Sequence, residues 1–155
     1  MTTHDDSDRD TAIPDALVDA VSRAVGPWIR ARVNAVTAGN VPVQMLDALA
    51  ERSTQYAVAR LRELFAADVD EQRANPLHVL RTVAADVTAQ LRAAGVPPVS
   101  RDAVETEAFP DDVYGFGPFT WRDLSEEVHD AGITWGAWKA AVIISRRRAN
   151  DRDAR

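Results

Sequence analysis

The residues best equipped for chemistry stand together in one run, Phe109-Pro110-Asp111-Asp112-Val113-Tyr114-Gly115-Phe116-Gly117-Pro118-Phe119-Thr120-Trp121. It holds five of the ten aromatic residues in a chain of 155, with two glycines and two prolines among them. Such a run is a loop, and its rings need an apolar destination. One reading makes it a pocket wall or partner-binding strap. Asp111 and Asp112 then supply charge, Tyr114 a phenol for hydrogen bonding, and Phe116 and Trp121 contact area. The other reading docks the strap on its own scaffold, with the rings as core anchors and the aspartates accepting backbone amides in the turn.

Further along, Gly136, Ala137, Ala140 and Ala141 form small faces one turn apart, beside a bulky ridge of Trp135, Trp138 and Val142. The small face lets a second backbone approach closely, which suits a symmetric dimer. Trp135 and Lys139 join the candidate binding residues on this ground. A partly buried Lys139 would have its charge disfavoured, whereas a snorkelling one would keep its ammonium in water.

Other constellations carry less. Gly115 and Gly117 lack a preceding strand and a third glycine, and the acids beside them would repel a phosphate. Asp68, Asp70 and Glu71 form a second acid cluster that would offer oxygen ligands to a divalent cation only if it met the first in space. The calcium-loop pattern fails, because Arg73 and Val79 stand where glycine and glutamate are required. His4, His78 and His129 have no paired ligand spacing, and no serine lies in a nucleophile-elbow context. No metal and no cofactor is expected.

Composition narrows the class. Eighteen basic against 24 acidic side chains give a net charge of −6, with 46% hydrophobic residues. That describes one globular domain able to bury roughly 70% of its unfolded surface. Zero cysteines exclude disulfides, thiol nucleophiles and thiolate metal sites. With no signal-like start and no long apolar run, a soluble cytoplasmic protein is expected, not a membrane one. Seventeen arginines against the single Lys139 reflect GC-rich codons more than a chemical demand. The Arg146-Arg147-Arg148 triplet is a thin footprint on an acidic body, so nucleic acid is not an expected partner.

The scaffold that must hold the strap reads as helical. Val18, Val21, Val25, Ile29, Val33 and Val36 follow a 3.6-residue period, predicting one helix kinked at Pro27 and ending at Gly39. A second follows Asn40 as cap, with Pro42 in its first turn and Leu46, Leu49, Ser53, Ala57, Leu61 and Leu64 on one face, and stops near Asp68. Asn75 caps a third, with Pro76 at its first position, Gly95 closing it and Pro97-Pro98 preventing continuation. Asp102 and Glu105 cap a short helix. Thr120 and Asp123 cap another that Ala131-Gly132 would end, and a last helix runs from Thr134 to Ala149. The prediction is an all-α bundle of about four main helices plus short ones: an acidic disordered tail over 1–12, a single domain over 13–149 and a flexible tail over 150–155.

Four segments also resemble a family: Asp70-Glu71-Gln72-Arg73 with Asn75-Pro76-Leu77, Ala94-Gly95-Val96-Pro97-Pro98-Val99 with Arg101-Asp102, Phe109-Pro110-Asp111-Asp112-Val113-Tyr114, and Trp135-Gly136-Ala137 with Lys139-Ala140. Over residues 68–148 the chain is similar to a family of small conserved actinobacterial proteins with no assigned activity. Trp138 departs from the small residue that family carries. The resemblance implies kinship without chemistry. Two functions therefore stand side by side: a non-catalytic helical module binding another protein or itself through the strap and the last helix, and a small-molecule or divalent-metal enzyme or sensor with its site at the strap. In the second, His129 would be the base.

Overall fold

The structure, a computed structural model, describes residues 3–67, 75–118 and 120–153, with side chains from Thr11 onward. The acid cluster at Asp68, Asp70 and Glu71, as well as Phe119, lies outside the described residues. Five α-helices and no strand make up the described chain: α1 (Thr3–Thr37), α2 (Val43–Ala66), α3 (Leu77–Ala93), α4 (Ala103–Ala108) and α5 (Glu126–Asp153). The all-α architecture with four main helices is the one the apolar periodicity requires.

The predicted valine stripe is the core of α1. Val18, Val21, Val25, Ile29 and Val33 are all buried, joined by Leu17 and Trp28. Helix α1 passes through Pro14 and Pro27 without ending, so the stripe keeps its phase across Gly26-Pro27. It starts at Thr3, ten residues before the predicted start at Ile13, and among the side chains described from Thr11 onward the first that is buried is Leu17. After a turn at Ala38-Gly39, α2 folds back on α1 and buries Leu46, Leu49, Ser53, Ala57 and Leu61, the face read from the sequence. Asn40 is not its cap. The Asn40 amide donates to the Thr37 carbonyl in the turn, and α2 begins at Val43 behind Pro42, whose carbonyl accepts from Leu46.

Helix α3 obeys its local signals. The Asn75 side chain accepts from the Leu77 amide at 3.0 Å, and Pro76 already has helical dihedrals. At the far end Gly95 sits at φ +81°, where a side chain would be strained, and the Val96 amide reaches back to the Leu91 carbonyl. That is a Schellman closure. Arg52–Asp86 and Arg30–Asp47 ion pairs tie α2 to α3 and to α1, and all four side chains are exposed, so packing sets the arrangement.

The last helix departs from expectation. A single turn of 3-10 helix, Trp121–Asp123, precedes it, with the Thr120 amide donating to the Asp123 carboxylate. Then α5 runs unbroken through Ala131, Gly132 and Thr134 to Asp153. Gly132 is therefore not a stop. A Cβ there would lie 2.6 Å from Cδ1 and Cγ of Trp121, so the glycine is the seat of the indole. Arg23 of α1 pairs with Glu127 near the start of α5 and holds that carboxyl below the usual carboxylate range.

This close approach predicts a reversal of sign. Alanine for glycine inside a helix normally stabilises by about 0.5–1 kcal/mol. Here Gly132→Ala is expected to destabilise by about 1–3 kcal/mol through overpacking. In a Trp121→Ala background the same change becomes neutral or favourable, as read by thermal denaturation of all three variants. Stabilisation with Trp121 present would show that the indole does not seat on Gly132.

Candidate functional site

The strap closes over one face of α3, and its own backbone shapes it. After Pro97-Pro98, the Val99 amide donates to the Val113 carbonyl and draws the two arms of the segment together. Between them α4 starts at Asp102, whose carboxylate accepts from the Glu105 amide at 2.8 Å. Arg101 donates to the Phe109 and Pro110 carbonyls.

The anchors are Tyr114 and Phe116. They are 4% and 2% exposed, belong to the main core and have ring centroids 5.3 Å apart. The Tyr114 hydroxyl donates to the Val96 carbonyl at 2.6 Å, and burial pushes the phenol above its ordinary pKa, keeping the proton that bond needs. Asp112 is the latch. Its two carboxylate oxygens accept from the Phe116 and Gly117 amides, both at 2.8 Å. Gly117 permits this, since a Cβ there would lie 3.0 Å from Asp112 Oδ2. On the α3 side, Arg81 Nε donates to the Pro118 carbonyl and its guanidinium lies 5.1 Å from the centre of the Phe109 ring.

Between strap and α3 lies a groove of about 450 Å³. Its floor is Arg81, Ala84, Ala85, Thr88, Ala89 and Arg92, and its opposite wall is Phe109, Pro110, Asp111 and Asp112. The floor residues follow a spacing of 3, 1, 3, 1 and 3, which is one helical face. Eleven residues separate the two arginines, roughly 16 Å along the axis. Alanines keep the floor low and apolar. Thr88 lines that floor but is only 4% exposed, and its buried hydroxyl finds no hydrogen-bond partner among the described residues. A buried hydroxyl left unpaired costs about 1–3 kcal/mol.

The predicted site residues thus divide. Asp111, exposed, and Asp112 stand at the groove. Tyr114 and Phe116 are not accessible to a partner, because their rings are in the core beneath the strap. Trp121 lies on Gly132, and Trp135 packs on Phe65 of α2 with centroids 5.5 Å apart, so neither lines the groove. Lys139 Nζ lies 6.0 Å from the Trp138 ring centre on α5, also away from it. Sequence reasoning missed Arg81, Thr88 and Arg92. They share a face with three alanines next to the leucine and valine seam of the same helix, a pattern that by itself does not mark a groove.

Chemically the groove offers two guanidinium groups, an apolar floor and a carboxylate rim. Asp112 is committed to two amides and is poorly placed to act as a base. Among the described residues no three His, Asp or Glu side chains converge as a metal site, and no helix is long and apolar enough to cross a membrane. The chain matches no protein-family model, no curated protein and no solved structure.

Proposed function

We propose that this chain is a non-catalytic helical interaction module of the cytoplasm, akin to the actinobacterial proteins its motifs resemble, and that the groove between α3 and the strap receives a segment of a partner protein. The observation that carries this reading is the apolar alanine floor bounded at its two ends by Arg81 and Arg92. The partner segment is extended and mostly apolar, with two carboxylates about five residues apart, the extended-chain length that spans the two arginines. Nucleic acid is disfavoured because it is held by many phosphate contacts, and two groove arginines are too few for that on a body of net charge −6.

A photo-crosslinking side chain placed at Ala89 tests this in living cells. One dominant adduct is expected, with acidic residues mapping to the crosslinked peptide. It is lost with Arg92→Glu. The same probe at the exposed Gln55 of α2 is expected to give none. Equal labelling at both positions, or an adduct indifferent to Arg92, would contradict the proposal. A second reading, a small organic acid as ligand, is favoured by the groove volume, which lies in the range of small-molecule sites. Native mass spectrometry of protein purified without denaturation distinguishes it by a bound mass below about one kilodalton.

A further inference from the structure

We infer that α5 is the interface of an antiparallel homodimer, with the apolar stripe Ile133, Ala137, Ala140 and Ile144 of one copy laid against the same stripe of another. Only Val128 and Gly132 of this 28-residue helix are buried. The face it turns to the bundle carries Val128, Ala131 and Trp135, and the half-buried Trp138 and Val142 continue the same side of the helix. At 100° per residue the stripe lies on the opposite face. Ile133 and Ile144 are 59% and 50% exposed, and Ala137 and Ala140 are exposed between them. Scattered surface isoleucines are ordinary. A stripe spanning twelve residues on the outer face of a helix apolar on both sides is the pattern of a helix with a second neighbour.

Charge identifies that neighbour and its direction. In an antiparallel pair about a two-fold axis between residues 138 and 139, Ile133 meets Ile144 of the other copy and Ala137 meets Ala140. The alanines allow the axes to approach to about 8 Å. Asp130 of each copy then falls beside Arg148 of the other, both on the same edge of the stripe. Both side chains are exposed, and neither has an ion-pair partner among the described residues. A parallel pair would instead place Asp130 on Asp130 and the arginine triplets on each other, which repels. Of the two directions, only the antiparallel one sets opposite charges together at Asp130 and Arg148.

The test is sedimentation equilibrium of the full chain up to about 100 μM. The wild-type protein is expected to dimerise, and Ile144→Asp to weaken the dimer about a hundredfold, with helicity unchanged. Asp130→Arg and Arg148→Asp are each expected to weaken it about tenfold, and their combination to restore it, because the two charges exchange places across the interface. Arg92→Glu in the groove leaves the dimer intact, so failure here is separate from failure of the groove. A protein that stays monomeric throughout, a dimer indifferent to Ile144→Asp, or a combined charge swap no stronger than the single changes would overturn the inference.

Discussion

Phe116→Ala is expected to remove about 3–5 kcal/mol of stability, the range for deleting a fully buried aromatic ring. The ring is 2% exposed, packs beside Tyr114 and belongs to the same core as the α1 valines, although it is delivered by a loop. A domain of this size has roughly 5–15 kcal/mol in total, so the loss is a large share of it. Urea denaturation followed by far-ultraviolet circular dichroism measures it. Phe116→Leu, which keeps most of the apolar volume, is expected to cost less than half as much. A loss below about 1 kcal/mol for the alanine variant would mean that the ring is not a structural anchor.

Asp112→Ala is expected to cost about 2–4 kcal/mol, because hydrogen bonds to a charged acceptor contribute about 1.5–3 kcal/mol each and two amides lose theirs together. Those amides, of Phe116 and Gly117, sit in a partly buried turn where water replaces the carboxylate imperfectly. Asp112→Asn retains one acceptor and is expected to fall between the wild type and the alanine variant. Asp111→Ala, one residue away, exposed and without a hydrogen bond to the strap backbone, is expected to change stability by less than about 0.5 kcal/mol. The contrast between neighbouring aspartates separates a latch from a rim charge, which mere acidity of the loop would not do.

Much of this scaffold is legible in the sequence because its causes are local. Asn75, Pro76, Gly95 and Pro97-Pro98 bound α3 through capping and dihedral restrictions that act within a few residues. The α1 and α2 faces follow from a 3.6-residue period that needs no knowledge of a partner. Most of the failures have long-range causes. Ala131-Gly132 resembles a helix stop, but Gly132 is small because Trp121 covers it, a contact made eleven residues away. Asn40 fails for a local reason: it resembles a cap, but α2 begins at Val43 behind Pro42, two residues beyond where a cap at Asn40 would start it. The docked strap could be read from its rings and its aspartates. The groove could not, because its walls come from α3 and from a loop some 25 residues later, and alanines on a helix face announce nothing until a wall stands opposite.

Amide hydrogen exchange at Phe116 and Gly117 tests most directly whether the strap is a fixed wall held down by core rings and the Asp112 carboxylate. In the wild-type protein both amides are expected to exchange only through global opening, with protection equal to that of Val87 and Leu91 in α3, and to lose about a hundredfold or more of it in Asp112→Ala. Exchange of these two amides at the rate of an unstructured peptide, while α3 stays protected, would contradict the account, because no groove persists under a wall that is open most of the time.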